Sequence, residues 1–175
     1  MNKEHVVLVD NNDNDLGQME KMEAHIKGIL HRAFSIFILN SRNEMLIHKR
    51  ALTKYHSPGL WTNACCSHPR KNENVLDAGH RRLQEEMGFD CNIKEIFTFI
   101  YKADVGDGLI EHEYDHVLFG LSDIIPNINP DEVDSYKYVD INKLSTDIKL
   151  NPQNYTEWFK IAYKEFLIHL NTINK

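Results

Sequence analysis

The sequence predicts a mixed fold, either an α+β domain or a layered α/β/α domain, on three observations. Short β-branched runs bounded by turn residues recur along the chain, as strands do. Helical periodicity appears in only two segments, which are far apart in the sequence. The length of 175 residues, with 42% hydrophobic and 26% charged residues, suits a single core. We therefore expect one domain over residues 1–175.

The predicted strands follow the apolar runs. Residues 6–9 form the first, and the polar region 11–17 is read as a turn that ends it. Residues 33–39 and 45–47 flank the turn Asn40-Ser41-Arg42-Asn43, a pattern typical of a hairpin. Further strands are predicted at 93–101, 111–121 and 136–140.

The two predicted helices are marked by their apolar spacing. In 72–87, Leu76, Leu83 and Met87 recur at helical intervals, and Gly88 stands where a helix C-terminus favours glycine. Pro152 precedes the second helix, predicted at 156–173, and its inner face carries Phe159, Ala162, Tyr163, Phe166, Leu167 and Leu170.

Composition excludes several classes of protein. The net charge of −6 argues against nucleic-acid binding, which needs a basic face. No apolar run is long enough for a transmembrane helix, and residues 1–15 lack the pattern of a signal peptide. Three cysteines, two of them adjacent, provide neither a disulfide framework nor a C-x-x-C zinc knuckle. We expect a cytoplasmic protein without membrane or nucleic-acid partners, either a monomer or a homodimer.

Three short segments carry residues suited to metal chemistry. His25 and His31 converge only if the chain between them loops, and surface exposure is the simpler expectation for both. In Cys66-Ser67-His68-Pro69, the thiol and the imidazole would share one face of an extended segment. A buried cysteine beside a loop histidine and a nucleophilic Cys–His pair are alternatives there, although no oxyanion site is evident. Cys65 would face the opposite side, as core.

Glu111 and Glu113 place two carboxylates on one face of a predicted strand. An exposed strand face is the simple interpretation, and if the pair is buried it calls for a metal or an acid–base role. Together with His25, His31 and His68, the two acids make an N3O2 set that suits Zn²⁺ or Mn²⁺.

Basic residues near these segments could form an anion pocket. They are Lys21, Arg50, Lys54 and Arg82, which are either solvated surface groups or the walls of a diphosphate site with Mg²⁺ bridging phosphate and a helix carboxylate.

The helix at 72–87 is similar to the Nudix box, G-x5-E-x7-R-E-U-x-E-E-x-G-U, where U is apolar. Glu73, Arg81, Glu85, Glu86 and Gly88 match the pattern, whereas Ser67 replaces the first Gly and Arg82 replaces the Glu after Arg. Because the acids of the box hold Mg²⁺ for diphosphate hydrolysis, the change at Arg82 indicates the same scaffold with different chemistry.

Nearly the whole chain resembles the type I isopentenyl-diphosphate Δ-isomerases of the Nudix superfamily. The most specific segment is Pro58-Gly59-Leu60-Trp61-Thr62-Asn63-Ala64-Cys65-Cys66-Ser67-His68-Pro69. It is supported by Lys49-Arg50-Ala51-Leu52-Thr53-Lys54, Tyr101-Lys102-Ala103, Glu111-His112-Glu113 and Asp131-Glu132-Val133.

The resemblance implies a Nudix-like α/β/α fold with a mixed sheet and the interconversion of isopentenyl and dimethylallyl diphosphate. It implies Mn²⁺ or Zn²⁺ on His25, His31, His68, Glu111 and Glu113, with a diphosphate-associated Mg²⁺ on Glu86. It also implies diphosphate contacts from Lys21, Arg50, Lys54 and Arg82, and catalysis by Cys66 and Glu113 with Tyr101 assisting.

Trp158 would stabilise a cationic intermediate through its ring, or serve as core packing. Two rival functions are a Nudix hydrolase acting on a nucleoside diphosphate derivative and a non-enzymatic metal- or ligand-binding domain. The seven other histidines, His48 and His56 among them, are expected to be surface or packing residues.

Overall fold

A mixed nine-stranded sheet forms the middle layer of the protein, seen in a computed structural model that describes residues 4–173. The strands are β1 (His5–Val9), β2 (Asp15–Glu20), β3 (His31–Leu39), β4 (Glu44–Arg50), β5 (Trp61–Thr62), β6 (Cys65–Ser67), β7 (Ile93–Gly106), β8 (Leu109–Leu121) and β9 (Val133–Asp140). The α-helices are α1 (Lys21–Lys27), α2 (Val75–Met87), α3 (Ile141–Leu150) and α4 (Glu157–Ile173).

Strand β3 is the centre of the sheet. It runs parallel to β8 along its whole length, from His31 opposite Glu113 to Leu39 opposite Leu121. On its other side it pairs with β6, where Ser35 lies opposite Cys66. Strands β7 and β9 extend the sheet from β8 and β4. As a result, β6 and β8, which carry Cys66 and Glu113, lie on either side of one strand.

Each face of the sheet has its own apolar core, as a layered fold requires. Phe34, Ile36 and Ile38 point from β3 toward α2 and pack with Leu83 and Met87. Phe37 and Leu39 point to the other face, where the aromatic side of α4 covers them, Phe37 stacking on Phe166 at 4.5 Å between ring centroids. The predicted α/β/α layering with a mixed sheet is confirmed.

The elements differ from the sequence prediction at β2, α1 and α3, and at the short strands β5 and β6, which were not predicted. Residues 15–17 of the predicted turn belong to β2, since this segment pairs antiparallel with β1 and Val6 lies opposite Met19. The described residues contain four α-helices, and two of them, α1 and α3, were not predicted. Both predicted helices occur, at 75–87 and 157–173. The ends of the predicted single domain, 1–3 and 174–175, lie outside the described residues.

No helix of the described residues combines the length and the apolar character needed to cross a membrane.

Candidate active site

A cavity of about 120 Å³ gathers nearly all the residues singled out in the sequence. Its walls come from strands β4 to β8, from three of the helices and from the 51–60 loop. Of the predicted site residues, only His31 is absent from its wall; the others are Lys21, His25, Arg50, Lys54, Cys66, His68, Arg82, Glu86, Tyr101, Glu111, Glu113 and Trp158. One site therefore collects segments that are up to 137 residues apart, from Lys21 to Trp158.

The turn after α1 brings His25 and His31 together. Gly28 ends α1 in the left-handed conformation (φ 60°), which glycine adopts at little cost, and the chain then turns directly into β3. The two imidazole rings lie 4.9 Å apart. Both residues are buried, at 1% and 0% exposure, so the expectation that they are surface histidines is wrong.

These histidines are arranged as metal ligands. Nδ1 of His25 donates to the Lys21 carbonyl at 2.6 Å, and Nδ1 of His31 donates to the Ile29 carbonyl at 2.8 Å. Because a carbonyl oxygen only accepts, the proton is on Nδ1 and the lone pair is on Nε2 of each ring. Both Nε2 atoms are buried without a hydrogen-bond partner.

His68 and Glu113 complete a four-residue group with these histidines. Its potential ligand atoms all lie within 4.8 Å of one another. Glu113 Oε1 lies 3.1 Å from His68 Nε2 and 3.6 Å from His31 Nε2. The residues fit a divalent ion with imidazole and carboxylate ligands. Glu111, the fifth predicted ligand, is outside this group but on the same cavity wall.

The hydroxyl of Tyr101 connects the two carboxylates. Tyr101 lies directly opposite Glu113 in the β7–β8 pair, and its hydroxyl donates to Glu113 Oε2 at 2.6 Å and lies 3.0 Å from Glu111 Oε2. Both glutamates are buried, so the exposed-face alternative is wrong.

The surroundings of the two carboxylates shift their pKa values in opposite directions. Burial, reinforced by the charge of Glu113, raises the pKa of Glu111 well above its ordinary value. Burial also acts to raise the pKa of Glu113, but the contacts with His31 and His68 outweigh it and hold that pKa well below the ordinary range. One carboxylate is thus suited to keep a proton and its neighbour to stay ionised.

Cys66 enters the cavity from the short strand β6. Burial raises the pKa of its thiol well above the ordinary value, and the thiol donates to Asn63 Oδ1 at 2.8 Å. Cys65 points to the opposite face and lies in the core beside α2, as the sequence predicted. Cys66 and His68 both line the cavity, which confirms their shared face.

The predicted anion-binding residues also line the cavity. The Arg50 guanidinium lies 5.0 Å from the centroid of the Trp158 ring, Lys21 pairs with Glu4 at 3.0 Å, and Lys54 pairs with Glu132. Four cations from different parts of the chain thus line one cavity, where a polyanionic ligand could contact them together. Five glutamates share this cavity, and three of the four cations are paired with one of them.

The altered position of the Nudix-like box has a direct structural consequence. Arg82 donates to Glu86 Oε1 at 2.5 Å from Nη2 and at 3.1 Å from Nε, and it also approaches Glu132 at 3.5 Å. Glu86 is 4% exposed. The Arg82 guanidinium therefore lies among carboxylates of the cavity wall, at the position where the Nudix box has a further glutamate.

Several cavity residues were not found by sequence reasoning. His48 and His56 are buried and line the cavity, and burial together with the charge of Arg50 lowers the pKa of each to about 3. Asp115 is buried beside the site, with Oδ1 unpaired in the described part of the chain. The alternation Glu111, Glu113, Asp115 along β8 is the sequence signal that marks Asp115.

The layered fold and the box-bearing helix α2 define the class of protein. Residues 29–159 match the NUDIX domain family. A solved structure from Deinococcus radiodurans shares the fold with a TM-score of 0.68 at 18% identity, covering 85% of this chain and 90% of that one. The MutT protein from Methanosarcina mazei gives a TM-score of 0.65 at 15% identity, over 83% and 96% of the two chains.

Curated relatives narrow this class to one family. The isopentenyl-diphosphate Delta-isomerase of Pectobacterium atrosepticum is 51% identical over 158 residues, which is 90% of this chain and 88% of the relative. Isopentenyl-diphosphate Delta-isomerase 2 of Photorhabdus laumondii is 54% identical over 157 residues, 90% of this chain and 89% of the relative. The chain therefore belongs to the isopentenyl-diphosphate Delta-isomerase family of NUDIX-domain proteins, which confirms the resemblance.

Proposed function

We propose that this protein is an isomerase that interconverts isopentenyl diphosphate and dimethylallyl diphosphate. The observation that carries the proposal is the joining, in one cavity, of a thiol (Cys66) and a tyrosine-linked carboxylate pair (Glu111 and Glu113) with four lysine and arginine side chains. A 1,3-allylic shift needs one group that delivers a proton and another that removes one. The family relationship supports the same activity.

The reacting groups have distinct tasks. The acid is Glu113, assisted by the Tyr101 hydroxyl: the proton held by Glu111 passes through that hydroxyl to Glu113, which delivers it to C4 of isopentenyl diphosphate. This creates a tertiary carbocation and leaves Glu111 ionised. Cys66, carried by the strand on the other side of β3, acts as the thiolate and takes a proton from C2, which gives the neutral thiol that its buried position favours. Trp158 lies at the cavity wall, where its ring stabilises the cation; such contacts contribute about 2 kcal/mol when desolvated.

The diphosphate is held by Lys21, Arg50, Lys54 and Arg82, so the part of the substrate that does not react supplies the energy that orients the hydrocarbon tail. We assign a transition-metal site, for Mn²⁺ or Zn²⁺, to His25, His31, His68 and Glu113 with Glu111 as a fifth ligand, and a diphosphate-associated Mg²⁺ to Glu86. Bound there, the ions would fix the Glu113 carboxylate and neutralise phosphate charge.

Deuterium incorporation tests the function. Incubation with isopentenyl diphosphate in deuterated water, with and without a chelator, should give deuterium-labelled dimethylallyl diphosphate only when metal is present. Release of inorganic phosphate without the isomerised product would instead identify a hydrolase, and no turnover of either kind would identify a binding domain.

Two cysteine variants test the proposed base. Cys66→Ala should abolish isomerisation and keep the fold, because it removes only the thiol at the cavity. Cys91→Ala is the matched control, since Cys91 is a free, partly buried cysteine outside the cavity wall. Turnover by Cys66→Ala at a rate close to that of Cys91→Ala would refute the role of Cys66.

A further inference from the structure

Thr62 and Asn63 form a hydrogen-bonded link between Cys66 and Trp158. Asn63 is fully buried, and its Nδ2 donates to the carbonyl oxygens of Ile36 (3.1 Å) and Cys65 (2.8 Å). Both amide protons are therefore used on the backbone, which fixes the orientation of the amide. Its Oδ1 is turned toward the site, where the Cys66 thiol donates to it at 2.8 Å.

The hydroxyl of Thr62 continues this link. It donates to Asn63 Oδ1 at 2.9 Å and accepts from the Trp158 indole Nε1 at 3.0 Å. Thr156, at the start of α4, donates to the same oxygen at 3.3 Å. Each of the donors Trp158, Thr62 and Cys66 has a defined acceptor, and the hydrogen bonds from Thr62 and Cys66 converge on Asn63 Oδ1.

The Cys66 sulfur is also confined on its other side. Ser35 Oγ lies 3.5 Å from Cys66 Sγ and donates its own proton to Asp115 Oδ2 at 2.8 Å. The thiol has one proton, which it donates to Asn63 in the segment between β5 and β6. Because Ser35 donates its own proton to Asp115, Ser35 of β3 limits the position of the sulfur by contact alone.

We propose that Thr62 and Asn63 are positioning residues that fix the Cys66 thiol and the Trp158 indole relative to each other. This inference rests on the proposed function, in which Cys66 takes the C2 proton while the ring of Trp158 faces the cation. Both groups must address the same few carbon atoms, and misplacement of a reacting group by 1 Å can cost about a hundredfold in rate. The Thr62 hydroxyl contacts the Trp158 indole directly and is linked to Cys66 through the acceptor that both share, Asn63 Oδ1.

The test compares two substitutions of Thr62. Thr62→Val keeps the shape and removes the hydroxyl, whereas Thr62→Ser keeps the hydroxyl. Thr62→Val should lower kcat about tenfold or more with little change in KM, since the diphosphate contacts are intact. It should also raise the kinetic isotope effect on 2,2-dideuterated isopentenyl diphosphate, because removal of the C2 proton becomes more nearly rate-limiting. Thr62→Ser should restore most of both values.

The matched control is Thr98→Val, at a threonine whose hydroxyl contacts Tyr114 instead of a cavity residue. It should leave kcat and the isotope effect unchanged. An unchanged isotope effect in Thr62→Val, or an equal loss of kcat in Thr62→Val and Thr62→Ser, would overturn the positioning role in favour of packing.

A second measurement is independent of turnover. In ¹H–¹⁵N spectra of the full chain, the Trp158 indole proton should move upfield in Thr62→Val, where its acceptor is lost, and return in Thr62→Ser. Absence of this shift would overturn the inference even if the enzyme is an isomerase. If the two variants showed the expected shifts but the wild-type protein did not isomerise isopentenyl diphosphate, only the proposed function would be refuted.

Discussion

The role of a single residue in this site depends on the group that each of its protons and lone pairs contacts. Glu113 belongs to the group of four ligands within 4.8 Å, whereas Glu111 is joined to it only through Tyr101. We therefore predict that Glu113→Gln loses most of the bound transition metal and that Glu111→Gln loses less, because only Glu111→Gln leaves the close group of four ligands intact. Both variants should lose isomerase activity. Elemental analysis after metal loading and dialysis measures the difference, and equal metal loss in the two variants would contradict it.

The sequence identified the residue types of the site but could not bring them together. An i, i+6 spacing such as that of His25 and His31 aligns on neither a helix nor a strand, so their convergence depends on the turn at Gly28 and on burial by the rest of the fold. The carboxylates of β8 were predictable, since alternation alone puts Glu111 and Glu113 on one face. His56 was missed because a loop histidine has no periodicity to mark it.

At the scale of elements, the close approach of α2 to the sheet positions Arg82 and Glu86. Gly79 faces the sheet, and a Cβ there would lie 2.7 Å from Leu118 Cδ1 and 2.9 Å from Ile93 Cδ1. We predict that Gly79→Ala destabilises the protein by about 1–3 kcal/mol despite its better helix propensity, since the core must shift. Gln84→Ala, on the exposed face of α2, is the control. Urea unfolding should show a change for Gly79→Ala alone, and equal stabilities would count against the close packing.

Whether the sequence revealed an element depended on where its stabilising contacts lie. Helix α2 was predictable because its apolar spacing and Gly88 are local signals. Strand β2 was not, because it is held mainly by pairing with β1 and shows no apolar alternation of its own. Helix α3 had an available signal that was overlooked: the Asp140 side chain caps it by accepting from the backbone of Asn142 and Lys143.

At the scale of the whole molecule, assembly of the cavity requires the fold to bury several uncharged imidazoles. His48 is 3% exposed, and burial, with the charge of Arg50, lowers its pKa from 6.5 to about 3. His56 shows the same change, and burial lowers the pKa of His68 to about 4. The unfolded chain therefore binds protons at moderately acidic pH that the folded chain does not.

This difference predicts how the stability of the metal-free protein depends on pH. A histidine with a lowered pKa makes its full contribution to the free energy of unfolding above pH 6.5. This contribution falls progressively as the pH is lowered toward the folded-state pKa of about 3. His48→Gln should therefore flatten the dependence of the unfolding free energy on pH below 6.5 by up to about 1.4 kcal/mol per pH unit. Urea unfolding from pH 8 to pH 5 measures it. Above pH 7 the two curves should run parallel, and parallel curves down to pH 5 would show that His48 is not held neutral by the fold.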